Sequence, residues 1–185
     1  MTQSRITDAR AARDISYAFS AKTRAGRAFI RSIENLTGRP RLIRMAMGYD
    51  VEVEKGRDFW EVMAERYRLR LSVTEADIAR IPRQGPVVVV ANHPFGIADG
   101  LAMGRILSMA RGEVRIMAHK VFHKARDLEK IILPINFQET REAQAENLAT
   151  RRAAIAHLDE GGCIGIFPGG TVSTSLKPFG RAMDP

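Results

Sequence analysis

The sequence holds one cysteine, Cys163, among 185 residues. That excludes an internal disulfide and fits a reducing compartment. No apolar run approaches the ~20 residues that a membrane-spanning helix needs. The opening stretch MTQSRITDARAARD is polar and lacks the pattern of a secretory leader. Aromatic residues make up only 6%, and no recognised nucleic-acid-binding motif is present, so the basic charge alone is a weak argument for DNA or RNA. Internal repeats and low-complexity linkers are also missing.

What remains is the composition of a folded domain, with 45% hydrophobic and 27% charged residues. A chain this long buries roughly 70% of its unfolded surface. The net charge is +8. Residues 1–45 hold Lys22 and nine arginines against three acids, a balance that favours anionic partners, either nucleic acid or an anionic membrane surface, between which charge alone does not choose.

Residues 10–36 read as a helix with Ile15, Phe19, Ile30, Ile33 and Leu36 among arginines, weakened by Gly26. A second helix is expected over 57–69, where Trp60, Met63 and Tyr67 recur at helical spacing. The stretch between them is broken by Gly38, Pro40 and Gly48. From about residue 86 the texture changes. VVVVA (87–91), VRIMA (114–118), IILPI (131–135) and CIGIF (163–167) are short, branched apolar runs separated by helical patterns at about 99–110 and 140–160. Continuous apolarity predicts strands covered on both faces, as in a parallel sheet with right-handed crossovers. In the longer helix Leu148, Ile155 and Leu158 are expected to line one face, with Gly161-Gly162 ending it. Pro134 demotes its strand toward an edge or bulge. The fold class is thus α/β, a largely parallel sheet flanked by helices. The chain is expected to divide into a basic helical region, 1–78, and an α/β domain, 79–185.

Two stretches carry chemistry. ANHPFGIADG (91–100) follows the first strand, where open α/β sheets place ligands. There Pro94 and Gly96 make a tight turn, and Asp99 falls near the start of the next helix. A carboxylate on one imidazole nitrogen fixes the tautomer and leaves the other free to take a proton, which makes His93 a candidate general base. Spacing alone also allows Asp99 as an ordinary N-cap with His93 packed under a loop. In IFPGGTVST (166–174), Pro168, Gly169 and Gly170 with Thr171, Ser173 and Thr174 form a candidate anion cradle or a plain turn. No lysine follows to make it a Walker A loop. His119 and His123 stand four apart, but Lys120 occupies the place of a zinc protease's glutamate and no third ligand is evident, so no metal site is assigned.

Together, NHPFGIADG, RIMAHKVF and IFPGGTVST resemble the motifs of the phospholipid/glycerol acyltransferase (lysophospholipid acyltransferase) family over roughly residues 80–185. The stretch ENLTGRPRLIRMAMGYD looks like that of a bacterial branch. The resemblance implies transfer of an acyl chain from acyl-CoA or acyl-carrier protein to a lysolipid hydroxyl, with no metal or bound prosthetic group. It gives His93 the role of base and Asp99 that of its orienting partner. Asn92, Pro94, Phe95, Gly96, Lys120, Phe167, Pro168, Gly169, Gly170, Thr171 and Ser173 are the implied substrate-binding positions. It also implies a protein peripheral on the inner face of the cell membrane, resting its basic N-terminal region on anionic lipid, with no nucleic-acid partner.

The sequence departs from the family pattern in three ways. Five residues, rather than four, separate His93 from Asp99, which asks the turn to bulge. Gly169 stands where the third motif has glutamate, and Val172 where it has arginine. Valine cannot make a guanidinium's bidentate phosphate contacts, so the expected acceptor shifts from lysophosphatidic acid toward another lysolipid, such as an amino-acid lipid. The family's fourth motif is not found in these residues, and the expectation is a chain truncated at its C-terminus. A non-catalytic lipid-binding member of the same fold is the alternative.

Overall fold

Short apolar runs with branched side chains favour extended backbone, most plainly VVVV at 87–90. In the computed structural model, which describes residues 39–124 and 127–169 and a few positions between 23 and 32, this yields four strands. They are β1 (Val87–Val90), β2 (Arg115–His119), β3 (Ile132–Ile135) and β4 (Cys163–Ile166). The chain divides into two units, Met1–Tyr67 and Arg68–Pro185. The expected helix over 10–36 lies almost wholly outside the described residues.

In the first unit, α1 (Arg39–Ala46), α2 (Asp50–Glu54) and α3 (Phe59–Arg66) follow one another. The stretch expected to be broken is helical at α1. Pro40 sits in its first turn, where the missing N–H has no helical partner to lose. Asp58 caps α3 by accepting from the Glu61 N–H at 2.9 Å. Trp60, Val62 and Met63 are buried there, and Tyr49 meets Phe59 edge-on at 5.4 Å. Arg66 donates to the carbonyls of Met47 and Gly48 at 2.7 and 2.8 Å, tying α3 back to the end of α1.

The second unit starts with the short helix α4 (Glu75–Ala79), closed by a reciprocal capping box between Thr74 and Asp77. Its core is the sheet, all parallel, in the order β1-β4-β2-β3. Two crossover helices, α5 (Ile97–Arg111) and α6 (Arg141–Asp159), link the strands. Side chains of successive strand residues point to opposite faces, and the packing follows that alternation. Gly165 faces α5: a Cβ there would overlap the Met103 sulfur and stand 2.5 Å from Ile116 Cδ1. Its neighbours Ile164 and Ile166 pack instead with Ala154 and Leu158 of α6. The two helices therefore cover opposite faces.

Two expectations need correction. The strand before His93 is not covered on both faces. β1 is an edge strand among the described residues, and α6 packs on β3 and β4. This leaves Val88 and Val90 49% and 58% exposed. The buried face of α6 is also only in part the one that large apolar residues suggested: of the three expected, Leu158 alone packs on the core. Ala143, Thr150, Ala154 and His157 face the sheet, while Leu148 and Ile155 are exposed. Small residues let the helix lie close to β3, where Thr150 Oγ1 donates to the Pro134 carbonyl at 2.7 Å. β3 is the other edge, as its proline suggested. Helix α6 ends in paired bonds, Gly161 N–H to Leu158 O and Gly162 N–H to His157 O, with Gly161 left-handed at φ 85°.

At the end of α5, Arg111 donates to three carbonyls: Pro82 at 2.6 Å, Gly85 at 2.8 Å and Gly161 at 2.6 Å. The first two lie just ahead of β1 and the third just ahead of β4. Replacing this part-buried guanidinium removes charge-assisted bonds and leaves the carbonyls to find water. Arg111→Met is expected to cost on the order of 2–4 kcal/mol, read as a lowered denaturation midpoint at unchanged slope. A midpoint equal to wild type would show that the three bonds contribute nothing net.

Candidate active site

All four strands of a parallel sheet leave at the same edge, so the segments after β1, β4, β2 and β3 stand side by side in that order. The segment after β1 is Ala91-Asn92-His93-Pro94-Phe95-Gly96. Ala91 still pairs, donating to the Ile166 carbonyl at 3.2 Å. The chain then turns, and Gly96 ends the turn at φ 63° and ψ −119°, a conformation that side-chain-bearing residues rarely adopt. That turn accommodates the five residues between His93 and Asp99. Asp99 lies in the first turn of α5, where its carboxylate is favoured by the helix N-terminus.

The turn brings the two side chains together. Asp99 Oδ2 is 3.3 Å from His93 Nδ1, and both side chains are mostly shielded. The approach is close but off line. Nδ1 is buried and makes no hydrogen bond, while Oδ2 accepts the Phe95 backbone N–H at 2.7 Å. Such pairs are often poorly aligned without substrate and tighten when it binds. Across the β1–β4 pair, His93 stacks on Phe167 with ring centroids 4.2 Å apart and planes inclined 28°. This contact follows from the register Val90↔Ile166, which sets the two strand exits level.

Of the other candidate residues, Asn92, Phe95, Pro168 and Gly169 are exposed at this edge, Pro94 is partly shielded and Gly96 is buried. Gly170, Thr171, Val172, Ser173 and Thr174 lie outside the described residues. Lys120 follows β2, and its Nζ is paired with Glu146 Oε2 of α6 at 3.1 Å. Glu146 also accepts from Asn136 Nδ2 at 2.6 Å, and the Asn136 N–H donates to Asn147 Oδ1 at 2.9 Å. These bonds hold the Glu146 carboxyl below its usual range, Asn136 contributing most. Sequence reasoning missed this group. Its only local sign is the Glu146-Asn147 pair on a helix whose facing strand ends in Asn136.

His119, at the end of β2, stacks on Phe137 at 5.7 Å, and its Nδ1 accepts the Val121 N–H at 3.1 Å. His123's side chain lies outside the description. Among the described residues, no three histidine, cysteine or acidic side chains gather as a metal site. A cavity of about 300 Å³ lies at the opposite end of the strands, lined by Arg83, Arg111, Glu113, Glu160 and Cys163 among others. It is far from the His93–Asp99 pair and lined in part by residues that lock the fold.

Burial, and then the Lys120 charge, lower the His119 pKa from its ordinary value. The unfolded chain therefore takes up its proton first as pH falls. Stability from this group is present above the unfolded value of about 6.5 and declines below it, toward the lower folded value. A side-chain NMR titration is expected to put the His119 midpoint below that of an exposed histidine. A midpoint at or above it would contradict the shielding.

The family model described as Acyltransferase matches residues 72–183. Two curated relatives carry the name lyso-glycine lipid O-acyltransferase. The one from Bacteroides thetaiotaomicron is 32% identical over 82 residues, covering 44% of this chain and 29% of its own length. The one from Phocaeicola vulgatus is 30% identical over 88 residues, covering 47% of this chain and 31% of its own. The matched part is thus about a third of those relatives. No solved structure matches the chain.

Proposed function

This chain belongs to the acyltransferase family, and on that premise we propose that it moves a fatty acyl chain from acyl-CoA or acyl-carrier protein to the hydroxyl of a lysolipid. The observation that carries the reading is the His93–Asp99 pair, Nδ1 to Oδ2 at 3.3 Å, within the matched segment and at the strand exits. The acceptor we propose is an amino-acid lysolipid. Val172 in place of a phosphate-clamping arginine supports that choice, as do relatives named for a lyso-glycine lipid.

In this reading His93 Nε2 takes the acceptor's hydroxyl proton while Asp99 faces Nδ1 and stabilises the imidazolium. The hydroxyl oxygen attacks the thioester carbonyl, a C–O bond forms, and the C–S bond breaks. The proton then passes from His93 to the leaving thiolate, so no acyl-enzyme is needed. Phe167, stacked on His93, limits the ring's rotation. Backbone N–H groups near Gly169 and Gly170 are the proposed donors to the developing oxyanion. Asn92, Pro94, Gly96 and Pro168 are proposed to contribute to the acceptor site, with Lys120 once it is released from Glu146; Thr171 and Ser173, which the resemblance also assigns to it, lie outside the described residues.

The basic N-terminal region is proposed to rest on anionic lipid at the inner face of the membrane, each near-surface Lys or Arg contributing about 1 kcal/mol. Among the described residues no helix is long and apolar enough to cross a membrane. Nucleic acid is not among the proposed partners.

Labelled acyl-CoA and acyl-carrier protein, offered to a panel of lysolipids that includes an amino-acid lysolipid, test the reading. His93→Ala is expected to lower turnover at least ~10²-fold, and Asp99→Asn to lower it while leaving acceptor KM nearly unchanged. Turnover indifferent to His93 would refute the mechanism. Lipid binding without turnover on any acceptor would favour a non-catalytic lipid-binding member of the fold.

A further inference from the structure

Burial disfavours the charged form of a histidine, and only 22% of the His93 side chain is exposed. A base in that place needs something to hold the imidazolium it becomes. Asp99 supplies part of this, yet its Oδ2 already accepts the Phe95 N–H at 2.7 Å, and His93 Nδ1 makes no hydrogen bond. One face of the imidazole is taken by Phe167, stacked at 4.2 Å with the planes inclined 28°. The sheet sets this contact, since the Ala91 N–H still bonds the Ile166 carbonyl one residue before Phe167. Two neutral rings gain most when edge-on or well offset, because their negative faces otherwise oppose each other. An imidazolium in the same place meets the negative face of the phenyl ring, well inside the ~6 Å over which a cation is attracted. The contact therefore favours the protonated ring over the neutral one.

We propose that Phe167 is a positioning residue for the proton transfer: its ring face holds the His93 imidazolium more tightly than the neutral imidazole, and so stabilises the state reached once the hydroxyl proton has moved to Nε2. The inference rests on the acyl-transfer reading above and adds a second partner for the base. An interaction that strengthens along the reaction raises turnover rather than substrate affinity. The charges at this edge leave that role open. Asp99 faces His93 from α5. Lys120, after β2, and Glu146, on α6, neutralise each other. His119, at the end of β2, is stacked on Phe137 instead. At the exit of β4, the described residues Phe167, Pro168 and Gly169 carry no titratable group.

The test reads the histidine directly and needs no turnover, so it stands even if the proposed reaction fails. Side-chain NMR follows the His93 titration in the full chain, its signal told from those of the other histidines by its loss in His93→Gln. Phe167→Leu keeps an apolar side chain and removes the ring. Its His93 midpoint is expected to fall by roughly 0.4–1.5 pH units, about a two- to thirty-fold weaker hold on the proton. Phe167→Tyr keeps a ring face and is expected to keep the wild-type midpoint, both variants being checked for an unchanged thermal transition. In the acyl-transfer assay, Phe167→Leu is expected to lower kcat by a similar factor at nearly unchanged acceptor KM, and Phe167→Tyr to restore it. A Phe167→Leu midpoint equal to or above wild type would overturn the proposal. So would a Phe167→Tyr midpoint as low as that of Phe167→Leu, since the ring face would then not be the cause. A raised KM at unchanged kcat would overturn it in favour of Phe167 as a wall of the acceptor site. A lowered midpoint without turnover on any acceptor would uphold the stack and fault only the acyl-transfer reading.

Discussion

Three carbonyl groups converge on the guanidinium of Arg111, two from the approach to β1 and one from the turn that precedes β4. The arginine itself closes α5, the helix that leaves from the dyad turn. One side chain thus sets the starting level of two neighbouring strands and anchors the far end of the helix that carries Asp99. Parallel strands have no hairpin turn to fix their register, and this bond set supplies a fixed reference in its place. From that level the β1–β4 ladder runs from Val87↔Cys163 to Val90↔Ile166 and delivers His93 beside Phe167.

At the other end of the ladder the site is built by a different means. Backbone conformation does what register cannot: Gly96 folds the chain back so that Asp99, on a helix, meets His93, on a strand exit. The carboxylate oxygen is divided between the Phe95 N–H and the imidazole, and in this structure the backbone has the better geometry. An imidazole held this way is placed closely but not clamped. The family pattern has one residue fewer between histidine and aspartate, and the glycine accommodates the extra one.

Features within one turn or one helix were legible in the sequence, and those that depend on packing were not. Strand positions, the parallel arrangement and the edge position of Pro134's strand followed from composition and spacing. The nearness of His93 and Asp99 followed from a local motif. Stacking of His93 on Phe167 depends on a ladder between distant segments, which no local pattern encodes. The face of α6 was partly misjudged because large apolar residues were counted as core, whereas close approach to β3 selected Ala143, Thr150 and Ala154. Pro40 was read as a breaker where it starts a helix. The Lys120–Glu146–Asn136 group was invisible because its members come from three separate elements. It matters for the site because it leaves the candidate cation already neutralised.

The strand order β1-β4-β2-β3 bears on how the chain acquires this arrangement. Among the described residues, β1 pairs only with β4, the last of the four described strands in chain order. Until the ribosome has passed Ile166, the valine strand next to the His93–Asp99 pair has no ladder partner among the described strands, while β2 and β3 can already associate. Non-local parallel pairing of this kind is slow, and an unpaired branched strand is prone to intermolecular association while it waits. The polar stretch Arg80–Gln84 ahead of it and the uncharged turn behind it differ sharply in solubility. A nascent chain halted between β1 and β4 would therefore leave this one segment without its ladder, and the stack of His93 on Phe167 could form only after β4 pairs.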